Sequence, residues 1–263
     1  MGRLDGKVVL VTGAARGTGA VTAQHCAAEG AQVLVTDVLD EAGAAIAEAI
    51  GDRARYRHLD VTSPEEWAGA VADAAEAFGG LDVVVNNAAV LDVGAIADTS
   101  LEVLTTVISV NQIGAYLGIQ AAIEPMKERG GGSIINVASI DAIEGSNGVA
   151  AYTSSKWGMR GLTKAAAIEL GCEGIRVNTV CPGTGSAEMV QPFVEAAIER
   201  LKDRTERLPD RAQRPFNRAG DLDDVAKAIV WLASDDSSYV SAIDLTVDGG
   251  WTAGKVEPGA PFS

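Results

Sequence analysis

The chain has 263 residues and a formal net charge of −15 at pH 7, which argues against binding to nucleic acid or to an anionic membrane. No run reaches the roughly 18 apolar residues of a membrane span. Three cysteines and two histidines show no metal-ligand spacing, so we expect no bound metal and reduced thiols, as in a cytoplasmic protein. We also expect no signal peptide, because the first predicted strand begins at residue 7.

The first predicted strand, Lys7–Thr12, leads through Gly13, Gly17 and Gly19 into a predicted helix at Ala20–Glu29. Glycines between a strand and a helix let the backbone approach a pyrophosphate at the positive helix N-terminus. The spacing G-x-x-x-G-x-G differs from the usual G-x-G-x-x-G, and the alternative is a tight turn without a ligand. The order of strand, turn, helix and a following acid favours the ligand.

The second predicted strand, Gln32–Thr36, ends at Asp37. A carboxylate in that position can accept hydrogen bonds from ribose hydroxyls and repels a 2′-phosphate, which predicts NAD over NADP. Arg16 in the glycine turn is a competing signal, because a basic side chain there can bind a 2′-phosphate. The residue after the acid is Val38 and not a second basic side chain that could bind the phosphate. We therefore expect the Asp37 carboxylate to decide the preference for NAD over NADP.

The remaining elements continue the alternation of strands and helices, with no linker or repeat. This order predicts an α/β fold, a single-domain Rossmann-like doubly wound parallel sheet over residues 1–263 with helices on both faces. Ligands of such sheets bind at the carboxyl ends of the strands. The further predicted strands are Arg55–Leu59, Val83–Asn86, Ser133–Ala138, Arg176–Val180 and Asp244–Val247, and the predicted helices include Glu41–Ile50, Pro64–Phe78, Asn111–Met126, Ala150–Leu170 and Leu222–Ala233.

Tyr152 and Lys156 lie one turn apart on the predicted helix Ala150–Leu170 and therefore share a face. A phenol with a pKa of about 10 is a poor base near neutral pH. An ammonium at about 4 Å is worth roughly 4 kcal/mol at an effective dielectric constant near 20, which predicts a lowered pKa for Tyr152. Ser139 could add a hydroxyl donor to the same reacting oxygen. Alone, such a pair is more often a solvated helix face, so the surrounding motifs decide its meaning.

These motifs together resemble the short-chain dehydrogenase/reductase family, in family order from about Leu4 to Trp251. Segments at 39–43, 54–62 and 247–251 further resemble bacterial 3α/20β- and 17β-hydroxysteroid dehydrogenases. The family resemblance is carried by Thr12-Gly13-x-x-x-Gly17-x-Gly19, Asn86-Asn87-Ala88, Asn111, Ser139, Tyr152-x-x-x-Lys156 and Pro182-Gly183.

The resemblance implies an NAD-dependent oxidoreductase that interconverts a secondary alcohol and a ketone by hydride transfer, with steroid or alicyclic alcohols favoured. It implies that Tyr152 is the acid/base, that Lys156 lowers its pKa and holds the nicotinamide ribose, and that Ser139 polarises the substrate oxygen. It assigns Asn111 to a water-linked proton path, although an isolated asparagine is more often merely structural. The implied cofactor-binding residues are Gly13, Arg16, Gly17, Thr18, Gly19, Asp37, Asp60, Val61, Asn87, Ala88, Tyr152, Lys156, Pro182, Gly183 and Thr184.

Two positions depart from the family pattern. Ala89 stands where the family usually has glycine, close to the expected cofactor site. Ala187 stands where many relatives carry a threonine that binds the nicotinamide carboxamide. Thr184 and Ser186 are the nearby hydroxyls, so the carboxamide must be anchored differently or by these two side chains.

Residues 184–219 are expected to form a lid over the substrate, because apolar residues from Val190 onward follow the spacing of an amphipathic helix. An ordinary surface helix is the alternative. Met189 and Phe193 are predicted to face the pocket from the lid, and Ile140 and Asp141 to face it from the other side. The acid is expected at the pocket mouth or in solvent, or else to bind a second hydroxyl or an amine.

The predicted helices Asn111–Met126 and Ala150–Leu170 carry more small and apolar residues than one core face needs, and relatives pair these helices. We therefore expect a homotetramer, with burial against the chain's own sheet as the alternative. For the activity, the alternatives are a polyol or sugar dehydrogenase, a 3-oxoacyl reductase, or a non-catalytic nucleotide-sensing protein. The last would be expected to have lost catalytic residues, yet the full set is present.

Overall fold

The computed structural model describes residues 2–201, 215, 216 and 218–254. Within them lies a seven-stranded parallel sheet in the order β3-β2-β1-β4-β5-β6-β7. The strands are β1 (Val8–Thr12), β2 (Gln32–Asp37), β3 (Ala54–His58), β4 (Val83–Asn86), β5 (Gly132–Val137), β6 (Ile175–Pro182) and β7 (Asp244–Val247). The helices are α1 (Gly17–Ala28), α2 (Asp40–Ile50), α3 (Pro64–Phe78), α4 (Leu101–Ile108), α5 (Gly114–Glu128), α6 (Ala150–Leu170), α7 (Ala187–Leu201) and α8 (Leu222–Ala233).

Both faces of the sheet are buried, which explains the continuous apolar runs of the central strands. Val9 and Val11 of β1 pack in one core cluster with residues of α1 and α8. Val8 and Leu10 point the other way, into a second cluster that contains residues of α3, α5 and α6. Because successive side chains of a strand point to opposite faces of the sheet, β1 contributes side chains to both core clusters. The predicted doubly wound sheet with helices on both faces is confirmed, and each predicted strand is present to within two residues at either end.

The strand order places a crevice between β1 and β4. From β1 the chain moves outward to β2 and β3, then returns to β4 on the opposite side of β1. The connections above β1 and β4 therefore leave in opposite directions, and the carboxyl ends of these strands face an open space. This crevice is the place where a doubly wound sheet binds its ligand.

Two helix starts differ from the prediction. Helix α1 begins at Gly17 and not at Ala20, and the low helix propensity of glycine hides this start in the sequence. Asn111 does not begin a helix but lies in a π-helical turn, Ser109–Ile113, between α4 and α5. A π turn adds a residue to the helical repeat, and hydrophobic periodicity does not signal it.

Helix α7 forms within the segment that was expected to be a lid. It covers Ala187–Leu201, while 202–214 and 217 lie outside the described residues. Thr184, at the base of this segment, donates a hydrogen bond to the carbonyl of Gly220 at 3.1 Å. That bond joins the beginning of the segment to the residues that precede α8.

The helices of the described residues lack the combination of length and apolar character that crossing a membrane requires. In the same part of the chain, no three His, Cys, Asp or Glu side chains are grouped so that they could hold a metal ion. Cys26, Cys172 and Cys181 are free thiols, and the first and last are buried. Burial raises the pKa of Cys26 to about 12 and that of Cys181 to about 11, so neither is a ready thiolate.

Candidate active site

The predicted site residues collect at the carboxyl edge of the sheet. Most of them follow or end a strand, and parallel strands bring these ends to one side of the sheet. Ser139 lies two residues beyond β5, and Tyr152 and Lys156 project from α6. Gly13 follows β1, Asp37 ends β2, Asp60 lies two residues beyond β3, Asn87 follows β4, and Pro182 ends β6.

The turn after β1 requires glycine at several positions. Gly13 and Gly17 adopt φ of +62° and +56°, which disfavours any side chain there. A Cβ on Gly13 would lie 2.7 Å from the Cα of Ala88, and one on Gly19 would collide with the carbonyl oxygen of Gly13. Lack of side chains therefore keeps the backbone of this turn open to a ligand.

Thr12 and Asn87 fix the same turn through hydrogen bonds. The Thr12 hydroxyl accepts hydrogen bonds from the backbone N–H groups of Asn87 and Ala88, both at 3.0 Å. The Asn87 amide donates to the carbonyls of Thr12 and Gly13 at 2.9 and 3.0 Å. Asn87 and Ala88 therefore fix the glycine turn against β4. The role of Thr12 was missed from sequence, although a hydroxyl directly before Gly13 was the available signal.

The N-terminus of α1 fits a pyrophosphate. Arg16 occupies the N-cap position, but its side chain makes no capping hydrogen bond. The first turn, which includes Gly17 and Thr18, also contains no acidic residue. The amide groups of this turn are thus free of side-chain caps in a region where a helix attracts negative charge.

Asp37 is held at the end of β2 by two backbone amides. Its carboxylate accepts hydrogen bonds from the N–H groups of Ala15 at 3.0 Å and Leu39 at 3.1 Å. Ala15 belongs to the glycine turn, so the acid lies beside the expected pyrophosphate site. Only 9% of its surface is exposed, which keeps the carboxylate in one place.

Asp60 and Val61, expected to contact adenine, form a local turn after β3. The carboxylate of Asp60 accepts hydrogen bonds from the backbone and hydroxyl of Thr62 at 2.9 and 2.8 Å. Val61 is buried and packs in the second core cluster. The Val61 side chain therefore serves the core, and contact of this turn with adenine stays a prediction.

Tyr152, Lys156 and Ser139 come together in a nearly dry part of the site. Tyr152 is 7% exposed, Ser139 8% and Lys156 1%. The Lys156 ammonium lies 5.5 Å from the centre of the Tyr152 ring and donates a hydrogen bond to the carbonyl of Val137 at 2.8 Å. The Ser139 hydroxyl lies near enough to the phenol to lower its pKa, as a donor to the phenol oxygen does. The geometry places a phenol, a hydroxyl and an ammonium around one small volume.

The predicted lowering of the Tyr152 pKa is wrong for this structure. Burial raises the pKa of Tyr152 well above its ordinary value, and the hydrogen bond with Ser139 opposes the rise only in part. The prediction assumed a partly solvated pair in which attraction to Lys156 decides the outcome. Here burial also lowers the pKa of Lys156, to about 8, because removing an ammonium from water favours its neutral form.

Asn111 is fully buried and ties three segments together. Its side-chain oxygen accepts a hydrogen bond from the backbone N–H of Val90 at 2.8 Å. Its amide nitrogen donates to the carbonyl of Val90 and to the hydroxyl of Ser155, each at 3.0 Å. The side chain thus links the loop after β4 to α6, one residue from Lys156. Its part in a proton path stays a prediction.

The substrate residues predicted on the Ser139 side lie beside the reacting groups. Ile140 packs 3.7 Å from the position that a Cβ on Gly183 would occupy. Gly183 itself approaches Asp248 so closely that a side chain would clash with it. Asp141 accepts hydrogen bonds from the hydroxyls of Ser139 at 3.2 Å and Ser146 at 2.6 Å. The partner Ser146 was not identified from sequence.

On the lid side, Met189 is half-buried near the start of α7. The side chain of Phe193 lies outside the described residues. Thr184 donates to the carbonyl of Gly220, and the Ser186 hydroxyl accepts a hydrogen bond from the backbone N–H of Met189 at 3.4 Å. Each hydroxyl that was considered as a carboxamide anchor therefore already has a hydrogen-bond partner within the chain, and anchoring by Thr184 stays a prediction.

Ala89 fits without backbone strain. Among the described residues, the non-glycine residue with positive φ is Ala242, so Ala89 does not need the conformation that glycine favours. The departure from the family pattern at this position therefore leaves the backbone near the glycine turn undisturbed.

Comparisons with known proteins agree with this geometry. The chain matches the family model described as "Enoyl-(Acyl carrier protein) reductase" over residues 13–252. It is 46% identical to 3-alpha-(or 20-beta)-hydroxysteroid dehydrogenase of Mycobacterium tuberculosis, over 96% of this chain and 92% of the relative. It is 41% identical to trans-4-hydroxycyclohexanecarboxylate dehydrogenase of Sinomonas cyclohexanicum, over 96% and 95%. It is 40% identical to cyclopentanol dehydrogenase of Comamonas testosteroni, over 96% and 100%.

These matches extend over nearly the whole length of both partners, so they concern the complete fold and not an isolated motif. They confirm the predicted resemblance and the prediction that the chain is a short-chain alcohol dehydrogenase. The strand order, the glycine turn and the buried tyrosine–lysine pair give the structural reason. The chain belongs to the short-chain dehydrogenase/reductase family of nicotinamide-dependent oxidoreductases.

Proposed function

We propose that the protein is an NAD-dependent dehydrogenase that interconverts a secondary alcohol on an alicyclic or steroid ring and the corresponding ketone. The observation that carries the proposal is the grouping of Ser139, Tyr152 and Lys156, all less than a tenth exposed, at the ligand-binding edge of the sheet. The names of three relatives support a ring alcohol as the substrate, because two of them are dehydrogenases of cyclic alcohols and one is a hydroxysteroid dehydrogenase.

The residues of this chain supply proton transfer and orientation. Ser139 holds the substrate oxygen, and Tyr152 takes the alcohol proton in oxidation or returns it in reduction. Lys156 places a positive charge beside the ring of Tyr152, which favours the phenolate over the neutral phenol. When bound at the glycine turn, NAD supplies the acceptor for the hydride.

A panel of secondary alcohols tests the substrate class. We expect NADH formation with cycloalkanols or with steroids that carry a 3-, 17- or 20-hydroxyl, and little with open-chain sugar polyols. Mainly polyol oxidation would favour the sugar dehydrogenase alternative. Turnover only of 3-hydroxyacyl thioesters would favour the reductase alternative, and both outcomes would contradict the proposed ring alcohol.

The preference for NAD is proposed from Asp37. Its carboxylate is fixed by Ala15 and Leu39 and retains lone pairs for the ribose hydroxyls. A 2′-phosphate placed there would meet a charge of the same sign in a poorly solvated position. Arg16 is exposed and can turn away into water, so its attraction for a phosphate is weaker.

Asp37→Asn is expected to lower the ratio of kcat/KM with NAD to kcat/KM with NADP by about 10- to 100-fold, since a hydrogen bond to a charged group is worth about 1.5–3 kcal/mol. The substitution keeps the shape and one acceptor oxygen but removes the charge. Steady-state kinetics with both cofactors measures the ratio. Arg16→Ala is the control and should raise it slightly. An unchanged ratio in the asparagine variant would show that another group selects the cofactor.

A homotetramer is proposed from exposed apolar side chains on the α4–α6 layer. Ile113, Tyr116 and Trp157 are 46%, 51% and 47% exposed and lie on helical segments that contact one another, and a group of exposed apolar side chains marks a protein–protein interaction site. Most of the small and apolar residues of these helices pack inside the chain: Ala115, Ile119, Ala122, Met126, Ala151 and Ala166 are buried. The small residues of these helices thus serve close packing within the fold. The larger exposed side chains, Ile113, Tyr116 and Trp157, are available to contact a partner subunit.

The double variant Tyr116→Glu/Trp157→Glu is expected to have a smaller mass in solution than the wild-type tetramer, because two charges would be buried without partners at each contact. Light scattering after size exclusion measures the mass. Glu48→Lys on α2, an exposed position on another surface, should leave the mass unchanged. A wild-type monomer, or a double variant that stays tetrameric, would contradict the proposed interface.

The cytoplasm is the proposed compartment. Cys26, Cys172 and Cys181 are all free, and unpaired thiols persist in a reducing environment. Cell fractionation of the producing organism tests this directly, with the expected activity in the cytosolic fraction.

A further inference from the structure

Helix α6 carries Tyr152, Lys156 and Arg160 at successive intervals of four residues, so the three side chains share one helix face. The mechanism proposed above uses the first two and leaves Arg160 without a role. Only 23% of the Arg160 side chain is exposed. A cation that is largely removed from water needs partners, and the partners of Arg160 show what it holds.

The Arg160 guanidinium binds two acceptors in different parts of the fold. One of its Nη atoms donates a hydrogen bond to the carbonyl of Ala142, and the other donates to the carboxylate of Asp244 at 2.9 Å. The guanidinium also lies over the Trp157 ring, 4.9 Å from its centre. Because a planar guanidinium presents several donors in a fixed arrangement, it can serve two acceptors at once. Arg160 therefore joins the 3₁₀ turn Ile140–Ala142 to strand β7.

This turn begins directly after Ser139, and α6 holds the chain on both sides of that serine. Before Ser139, the Lys156 ammonium donates to the carbonyl of Val137 at 2.8 Å. After Ser139, the Arg160 guanidinium donates to the carbonyl of Ala142. Two cations one turn apart on α6 thus bind carbonyls that lie on either side of Ser139 in the chain. The helix that carries Tyr152 therefore also sets the position of the Ser139 segment.

The other contacts of the turn fix it less closely against α6. The backbone N–H of Ala142 donates to the carbonyl of Ser139 at 2.9 Å, which closes the turn on itself. The connection from the turn to α6 runs through exposed residues at 144–147. Ala142 packs in a core cluster with Met159, but apolar packing is not directional. The hydrogen bond from Arg160 is directional and therefore defines where the turn sits on the helix.

Asp244 keeps the guanidinium in place. Its side chain is 15% exposed and accepts hydrogen bonds from Arg160 at 2.9 Å and from Lys164 at 3.0 Å. Burial raises the pKa of Asp244, but the hydrogen bonds from these two cations outweigh burial and lower the pKa below its ordinary value. Within the described part of the chain, Nε of Arg160 and Oδ1 of Asp244 are buried without a hydrogen-bond partner. An ion pair that leaves buried atoms unpaired contributes little to stability, which favours a role in positioning.

We propose that Arg160 is a positioning residue for Ser139, and that its hydrogen bond to the Ala142 carbonyl fixes the distance between the Ser139 hydroxyl and the Tyr152 phenol. The proposal rests on the function proposed above, in which Ser139 holds the substrate oxygen and Tyr152 exchanges its proton. Arg160 acts through the backbone of the turn. Its loss should therefore slow the chemical step and leave the cofactor site as it is.

Arg160→Met removes both donors and keeps an unbranched side chain. We expect kcat for alcohol oxidation to fall by about 10- to 100-fold, since a misplacement of about 1 Å can slow a reaction by about 100-fold. The dissociation constant of the cofactor, titrated by fluorescence, should equal that of the wild type. Lys164→Met is the matched control, because it removes the other cation from Asp244 but leaves the hydrogen bond between Arg160 and Ala142. Its kcat should equal that of the wild type.

Combination with Ser139→Ala shows whether Arg160 acts through the serine. Ser139→Ala alone is expected to lower kcat by about 100- to 1,000-fold, as the loss of a donor to the reacting oxygen does. Adding Arg160→Met should then lower kcat by less than about twofold, because effects that depend on one shared contact are not additive. If the methionine variant does not fold, Arg160→Lys enters the same cycle, because lysine keeps the charge beside Asp244 but lacks the planar arrangement of donors.

Three results would overturn the positioning role. They are a wild-type kcat in the Arg160 variant, an equal loss of kcat in Lys164→Met, and a full further loss when the Arg160 substitution is added to Ser139→Ala. The Ser139→Ala variant also separates this proposal from the proposed function. If Ser139→Ala is slow and Arg160→Met is not, only the role of Arg160 is lost. If Ser139→Ala has the wild-type kcat, the role of the serine in the proposed function fails.

Discussion

Tyr152→Phe is expected to lower kcat for alcohol oxidation by about 1,000-fold, within the range that a positioned acid/base contributes. The substitution removes only the hydroxyl. The ring continues to pack with Val107, Val149 and Ala151 in its own core cluster, so the fold and the cofactor site should be retained. Steady-state kinetics gives kcat, and titration of the bound cofactor by fluorescence should give a dissociation constant close to that of the wild type.

Tyr116→Phe provides the matched control for this result, because Tyr116 is half exposed and lies on α5. Its kcat should equal that of the wild type. A Tyr152→Phe variant that retained most of its turnover would contradict the assignment of the acid/base. A variant that lost cofactor binding to the same extent as turnover would indicate a structural role for the phenol.

Lys156→Met is expected to abolish turnover and yet to stabilise the cofactor-free protein at pH 7. Burial lowers the Lys156 pKa from 10.5 to about 8, which corresponds to a penalty of about 3 kcal/mol for the charged side chain at 1.36 kcal/mol per unit. The lost hydrogen bond to Val137 offsets about 1 kcal/mol of this. We therefore expect a gain of about 2 kcal/mol in the free energy of unfolding, or about 4–8 °C in Tm for a chain of this size. Methionine fills a similar volume without a charge. The buried charge of Lys156 therefore supports activity but lowers the stability of the folded protein.

The pH dependence of this gain identifies its origin. Between about pH 8 and 10.5 the unfolded protein holds a proton on Lys156 that the folded protein has lost, so the contribution of Lys156 to stability rises with pH there. Below about pH 8 the lysine is charged in both states, and the full penalty is present. Above pH 10.5 it is neutral in both, and the advantage of methionine should vanish. Urea unfolding across this range measures the difference, and a gain that did not change with pH would show that packing and not charge is responsible.

The strands were predictable because their signal is local. The runs Val8–Val11 and Val83–Val85 are continuous and β-branched or apolar, as burial on both faces requires. The predicted helices that carry the apolar and small residues of the two cores were also located, except for the starts of α1 and α5. The π turn around Asn111 was not, because one extra residue in a helical repeat leaves the composition of the segment unchanged.

The members of the active site could be identified from sequence, but their partners could not. Tyr152, Lys156 and Ser139 were recognised by spacing and by family resemblance. The pairing of Asn111 with Val90, or of Asp141 with Ser146, depends on how loops fold over the strand ends. The direction of the Tyr152 pKa was mispredicted for the same reason, since the depth of burial is a property of the assembled site and not of two residues one turn apart.

The hydrogen bonds that join Thr12 to Asn87 and Ala88 also impose an order on biosynthesis. The partners are 75 and 76 residues apart in the chain, so at 5–20 residues per second about 4 to 15 s separate their synthesis on the ribosome. During that time the glycine turn has been synthesised but lacks these contacts. It also lacks the side-chain amide of Asn87, which donates to the carbonyls of Thr12 and Gly13. A nascent chain therefore becomes competent to bind a dinucleotide only once β4 has emerged and docked beside β1. Products of translation that stop earlier should gain no protection from a nicotinamide dinucleotide against cellular proteases.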